Sequence, residues 1–361
     1  MEKNIINNKI DRSWIDKFNQ PITISGPCSA ESEAQVLETA KRLDKKYINI
    51  FRAGIWKPRT KPNNFEGIGE KGLHWLKKVK QETGYMVATE VANEQHVQLA
   101  LSFDIDVLWI GARSTSSPFI IQEIADSIEG NKKIIILVKN PIHPDLELWI
   151  GAIERLFAKG IRKLGVIHRG FYTYKNSRLR NQPNWNLLLK FREMFSRIPL
   201  ICDPSHICGN KNGIYDIAKI AYHVFKYDGF MIESHCDPLH AWSDVKQQMT
   251  PEEVTDLLKN LKDDIKNKIQ DDDQASLNSL RILIDEIDDN MIYLLSERMK
   301  ISKQLGILKK TKYLSFVQPD RWKYILNRSL KLGRQLGISE RLIENFFKLL
   351  HEESINIQKN M

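Results

Sequence analysis

Eight short apolar segments of this chain end in, or just beside, a residue able to do chemistry. They read ITISGPC (22–28), INIFRAG (48–54), YMVATE (85–90), VLWIGAR (107–113), IIILVK (134–139), KLGVIHR (163–169), LICDPSH (200–206) and FMIES (230–234). Among these end residues are a thiol (Cys28), an imidazole (His206), carboxylates (Glu90, Glu233) and the cations Arg52, Arg113, Lys139 and Arg169. Thiol, imidazole and carboxylate are donors for a divalent transition metal, and Arg and Lys hold phosphate and carboxylate groups. Metal-assisted work on phosphorylated acids is the chemistry to expect.

Seven amphipathic segments separate the runs and an eighth follows. Repeats of roughly 25 to 35 residues predict an α/β fold, a (β/α)8 TIM barrel with its chemistry on the loops after the strands. ESEAQVLETAKRLDKK (31–46) and LELWIGAIERLFAKG (146–160) space apolar residues by three and four, as interstrand helices do. TPEEVTDLLKNLKDDI (250–265) opens with Thr, Pro and two acids, a helix start, and supplies the eighth helix. Residues 1–20 are a polar lead-in, 21–265 the barrel, and the acidic stretch within 266–276 a linker. From Leu277 the pattern is helical only, so an all-α domain over 277–361 follows the barrel.

At 361 residues the chain is long enough for both parts, and 42% hydrophobic content suffices for a core. The net charge of +9 comes from dispersed basic residues, which excludes a nucleic-acid reading in favour of a phosphate-handling enzyme. Cys28, Cys202, Cys208 and Cys236 show no CxxC pair. No apolar run approaches the roughly 18 residues of a membrane span, and MEKNIINNKI has no signal-peptide core. The chain reads as cytoplasmic and reduced, with no membrane partner.

RAGIWKPRTKPNNFEGIG (52–69) is a Gly- and Pro-rich loop that presents Arg52, Lys57, Arg59 and Lys61 directly after a strand, a good anion cradle. It resembles the 3-deoxy-D-arabino-heptulosonate-7-phosphate (DAHP) synthases of the short-barrel type. The resemblance continues through GPCSAES (26–32), ATE (88–90), GARSTSSPF (111–119), DPSHICGN (203–210) and IESHCDPLHAWSD (232–244), so it spans the barrel. It implies condensation of phosphoenolpyruvate with erythrose 4-phosphate, giving DAHP and phosphate, the first step of the shikimate pathway.

Cys28, His206, Glu233 and Asp244 match the family's metal ligands. One sulfur, one nitrogen and two carboxylates suit a single divalent ion per barrel, Mn first, with Fe, Co or Zn as alternatives. Arg113, Lys139 and Arg169 match the phosphoenolpyruvate positions, with Arg52, Lys57, Gly111 and Ala112 contributing. Arg59 and Thr60 match those that hold the phosphate of erythrose 4-phosphate. Lys57, Glu90, Lys139 and His206 are the catalytic candidates. Glu90 orients a lysine or a water, and His168 is a weaker candidate for the same region. His235 and Cys236 diverge from Glu233 on an extended strand end and are left out of the metal set. Cys202, Cys208, His74, His96, His143 and His223 read as packing or surface residues. The rival within the fold, KDO 8-phosphate synthase, carries Lys-Ala-Asn-Arg where this chain has Lys57-Pro58-Arg59-Thr60.

In the tail, Leu277, Leu280, Ile284, Ile287, Met291, Leu294, Ile301, Leu305 and Leu308 form a seam about nine turns long. A small monomeric domain cannot cover such a helix, so partner helices are expected. Shorter helices follow around 319–335 and 339–358. With LRxxIDEID (280–288), Arg281, Arg298, Lys309, Arg321, Ser354 and Gln358 resemble the polar positions of the all-helical chorismate mutases. That resemblance implies rearrangement of chorismate to prephenate, with Lys309 and Gln358 donating to the ether oxygen and the arginines neutralising the carboxylates.

Arg298 and Lys309 are about three turns apart on nearly one face, whereas Arg281 lies some 25 Å before Arg298. If Arg281 serves chorismate, it serves another chain's site, and a homodimer or a homotetramer built on it follows. Gln318 and Trp322 depart from the family, which often has acidic residues there, so a non-catalytic chorismate or prephenate sensor is the alternative. Feedback inhibition of the barrel through this domain is also expected.

Overall fold

The computed structural model describes residues 2–18, 21–59, 63–173, 179–266 and 272–360. Eight parallel strands close into one barrel in sequence order. They are β1 (Ile22–Gly26), β2 (Ile50–Arg52), β3 (Met86–Val91), β4 (Val107–Ile110), β5 (Ile135–Lys139), β6 (Leu164–His168), β7 (Leu200–Cys202) and β8 (Gly229–Glu233). Closure comes from β1 against β8, with Ile22 opposite Gly229 and Gly26 opposite Glu233. Only glycine fits at 229, because a Cβ there would stand 2.2 Å from the Ile22 carbonyl oxygen.

Strand alternation sorts the side chains into two sets. Ile22, Ile24, Ile50, Ala88, Val107, Trp109, Ile135, Leu137, Ile167, Ile201 and Met231 fill the inside. Their neighbours, such as Phe51, Val87, Leu108, Val138, Val166 and Phe230, pack outward under the helices. Continuing the inward alternation by two residues reaches Arg52, Glu90, Gly111, Lys139, Arg169, Asp203 and Glu233. The chain thus switches from apolar to charged at the C-terminal end of most strands, and these residues floor the mouth.

Residues 2–18 pack against the barrel. The helix Glu2–Lys9 buries Ile6, and the short helix Ser13–Asp16 inserts Trp14 and Ile15 into the interior cluster from below. Arg12 anchors the segment by donating to Asp228 at 2.7 Å and to the Arg197 carbonyl at 3.0 Å.

The helix Pro251–Lys266 opens with a capping box. Thr250 Oγ1 accepts from the Glu253 amide at 3.2 Å, and Glu253 Oε2 accepts from the Thr250 amide at 2.8 Å. Within the expected linker, residues 267–271 lie outside the described residues, and the next helix, Asp272–Thr311, is already formed before Leu277. The chain divides into two compact units, Met1–Leu283 and Ile284–Met361.

The second unit contains the remainder of that long helix, then Pro319–Gln335 and Glu340–Lys359. Gly306 lets the long helix approach the last one, since a Cβ there would stand 2.9 Å from Gln358 Cα. Within this unit, described by itself, the apolar seam is exposed: Ile287 is 58% exposed, Leu294 58% and Ile301 64%.

Candidate active sites

The mouth of the barrel gathers donors around Cys28, which follows β1. Its Sγ lies 3.0 Å from Asp244 Oδ2, and Lys57 Nζ donates to it at 2.7 Å and to the Cys28 carbonyl at 3.1 Å. Ligand atoms of Cys28, Glu233 and Asp244 all fall within 4.8 Å of one another. His206 Nε2 stands 3.8 Å from Glu233 Oε1, at the edge of this cluster.

Burial, and then the charge of Glu233, push the Cys28 thiol up to about 12, with Lys57 opposing. The thiol does not ionise by itself near neutral pH, and a bound cation is what would hold it as thiolate. Burial also lowers His206 against the pull of Asp203, so its ring is neutral at neutral pH. Nδ1 is within 3.0 Å of Asp203 Oδ1, which leaves the lone pair on Nε2 for a ligand. The residues present therefore fit a divalent transition ion.

Outer contacts fix these ligands. Arg180 donates to Asp244 Oδ1 at 2.8 Å and to Gln247 Oε1 at 2.7 Å, while Gln247 donates to Glu233 Oε2 at 2.7 Å. Asp203 caps the helix Pro204–Cys208 through the His206 amide and pairs with Lys139 Nζ at 3.0 Å. Against the cost of burial, His206 and Lys139 hold its carboxyl well below the usual range. Because Pro204 begins a helix, His206 lies in a helical turn and not on a strand end.

The cations follow the inward layer. Arg52, 2% exposed, meets Glu233 Oε1 at 3.3 Å. Burial pushes Arg169 down to about 10, still a cation at neutral pH, and its Nη1 donates to Asn181 Oδ1 at 2.7 Å. Gly111 and Ala112 lead into the short helix Ala112–Thr115, which carries Arg113. Glu90 fits against Gly111, where a Cβ would stand 2.1 Å from its Oε1. Arg59 donates from Nε to the Phe65 carbonyl at 2.9 Å. Thr60 lies outside the described residues. His96 stacks on Trp56 at 4.1 Å and pins the start of that basic loop.

His168 is placed elsewhere. It points outward between Ile167 and Arg169 and is fully buried, with its ring nitrogens against Tyr227 Oη at 2.6 Å and the Pro183 carbonyl at 2.7 Å. His235 pairs with Glu31 at 3.3 Å. Sequence reasoning missed Asp203, Arg180, Asn181, Gln247 and Trp109. Asp203, three residues before His206, carried a helix-cap signal, but Arg180 and Asn181 lie in a long loop with no local pattern.

In the second unit, Arg298 donates to Ser354 Oγ and, at 3.3 Å, to the Leu350 carbonyl. Lys309, Ser354 and Gln358 are buried, and Gln358 Oε1 has no partner among the described residues. Lys309 Nζ donates to the Phe316 carbonyl at 2.9 Å. Burial lowers both Arg298 and Lys309. Four of the six expected polar residues thus lie along the packed faces of the long and last helices. Arg321 lies beside the Tyr324 ring, 5.0 Å from its centroid, and Arg281 is exposed on the long helix. Trp322 stacks on His351 at 4.4 Å.

A (β/α)8 barrel with metal donors and a ring of cations at its mouth defines an enzyme of phosphorylated acids. The chain belongs to the DAHP synthetase I family, whose model matches residues 8–269, and the chorismate mutase type II model matches residues 280–359. It therefore joins DAHP synthase and chorismate mutase activities in one polypeptide. Phospho-2-dehydro-3-deoxyheptonate aldolase of Thermotoga maritima is 29% identical over 66% of this chain and 68% of its own length. The crystal structure of a Thermotoga maritima DAHP synthase superposes with a TM-score of 0.60, at 27% identity over 67% of this chain and 68% of that one. More distant is the 2-dehydro-3-deoxyphosphooctonate aldolase of Vesicomyosocius okutanii, 26% identical over 68% of this chain and 91% of the relative.

Proposed function

We propose that the barrel condenses phosphoenolpyruvate with erythrose 4-phosphate at this mouth. The observation that carries the reading is the convergence of Cys28, Glu233 and Asp244 within 4.8 Å, beside Lys57. With His206 they would hold one divalent ion, Mn first among Mn, Fe, Co and Zn, which when bound would polarise the aldehyde of the acceptor. Arg52, Lys57, Arg113, Lys139 and Arg169 bind phosphoenolpyruvate, whose phosphate and carboxylate carry close to three charges. Gly111 and Ala112 line its pocket. Arg59 and Thr60 take the phosphate of erythrose 4-phosphate. Glu90 serves the chemical step from the end of β3. Chelation should abolish DAHP formation and a divalent ion should restore it. Full activity of Cys28→Ala after thorough chelation would overturn the assignment.

In the mutase domain, Arg298, Lys309, Ser354 and Gln358 bind chorismate, with Lys309 and Gln358 directed at the ether oxygen, and Arg321 completes the cationic set. Arg281 serves the site of a second copy. The exposed apolar seam supports a homodimer through this domain, which a tetramer could contain. Prephenate or chorismate, bound there, inhibits the barrel; the fusion of a product-binding domain to the first enzyme of its pathway supports this. We place the protein in the cytoplasm as part of the same reading. Among the described residues, no helix is long and apolar enough to cross a membrane.

A further inference from the structure

The charged layer of the barrel rests partly on one aromatic ring. Trp109, on β4, is fully buried. The Arg52 guanidinium carbon stands 4.7 Å from its ring centroid, and the indole N–H donates to Glu90 Oε2 at 3.1 Å. One side chain thus touches a cation through its π face and an anion through its edge. The register makes this feasible. Glu90 pairs with Trp109 across β3 and β4, and Arg52 on β2 pairs with Ala88 on β3. Ala88 is the smallest inward side chain a strand can offer short of glycine, so an indole from β4 can pass it and reach Arg52.

Arg52 depends on that contact. Its Nε and Nη1 are buried with no acceptor among the described residues. Its Nη2 meets Glu233 Oε1 at 3.3 Å and the Cys28 carbonyl at 3.4 Å. Glu233 is also a ligand candidate, so its charge is shared whenever a cation binds. The indole face then remains to hold the guanidinium, whose Nε and Nη1 are left without an acceptor among the described residues. For Glu90, Gly111 leaves space at Oε1 while the Trp109 edge fixes Oε2.

We propose that Trp109 is a positioning residue for the condensation, holding Arg52 through its ring face and Glu90 through its N–H, with separable kinetic effects. This rests on the assignment of Arg52 to phosphoenolpyruvate and of Glu90 to the chemical step. Loosening Arg52 weakens substrate binding and raises KM, whereas freeing Glu90 lowers kcat. Trp109→Phe keeps a π face and removes the N–H; Trp109→Leu removes both.

The test is steady-state kinetics on the full-length, metal-loaded chain, with Arg52→Lys and Glu90→Gln in parallel. Chorismate mutase turnover and thermal unfolding of the same samples report on folding, and Trp109→Tyr is a second ring-retaining variant should Trp109→Phe unfold. Trp109→Phe should lower kcat about tenfold and leave KM for phosphoenolpyruvate within about twofold, while Trp109→Leu should add a rise in KM of about tenfold. Wild-type kcat in Trp109→Phe, or the same ratio of kcat to KM changes in both variants, overturns the proposal. Wild-type kinetics in Arg52→Lys and Glu90→Gln would instead remove the site assignment, and the proposal with it. Impairment of those two alone leaves the assignment standing and removes the role of Trp109.

Discussion

Replacing Asp203 by asparagine removes the charge of one buried carboxylate while keeping its shape. Asp203 is fully buried, and its Oδ1 accepts from both the His206 amide and Nδ1 at 3.0 Å. An asparagine oxygen can accept the same two bonds, so the cap on Pro204–Cys208 survives. What disappears is the anion 3.0 Å from Lys139 Nζ, whose side chain is only 6% exposed. An exposed pair would contribute less than about 1 kcal/mol, but stranding one member of a buried pair costs about 3–5 kcal/mol. The loss should be at least about 3 kcal/mol, because the asparagine NH2 that takes the place of Oδ2 turns donors, and not an acceptor, toward the ammonium. Urea unfolding of the full chain, followed through loss of DAHP synthase activity, should show the midpoint falling by about 1 M. Mutase activity in the same sample controls for the second unit. Divalent-ion affinity should fall about tenfold, since Asp203 orients the His206 ring. A stability loss below about 1 kcal/mol would show that Lys139 is not held by this pair, and the electrostatic account of the mouth would fail.

Gly111→Ala should leave the barrel folded but lower kcat about tenfold or more, because the new Cβ displaces the flexible end of Glu90 and not backbone; a kcat within about twofold of wild type refutes this. Mixed Arg281→Ala and Lys309→Ala chains should regain part of the mutase activity that each lacks alone, since one hybrid site receives both intact residues. No regain, with heterodimers demonstrated, would mean that each site is built from one chain. Arg298→Ala should relieve prephenate or chorismate inhibition of DAHP formation, and unchanged inhibition would place the effector on the barrel itself.

The strand rhythm and the strand-end chemistry were legible because both follow from local rules. A parallel strand buried on both faces reads as a continuous apolar run, and the first charged residue after it marks the mouth. That rule finds Arg52, Glu90, Lys139 and Glu233, all on the inward phase. It misleads at His168, which sits next to Arg169 in sequence but on the opposite face of β6, in the aromatic layer with Trp149 and Trp185. Only the phase of alternation separates those two neighbours, and the phase is set by which residue enters the interior cluster. Ile167 does, and His168 does not.

The residues that orient the ligands were not legible for a different reason. Arg180 reaches Asp244, and Gln247 reaches Glu233, across loops whose paths no periodicity describes. Their identities become necessary only after the barrel closes and each buried carboxylate oxygen needs a donor. Trp109 lies between these cases. Read along β4 it is one more large apolar residue in VLWI, and its polar edge acquires a purpose only when β3 places Glu90 beside it. The local sequence therefore specifies which side chains face the mouth, while closure of the barrel specifies how each is held, and substitutions in the second group should alter kinetic constants more than they alter the fold.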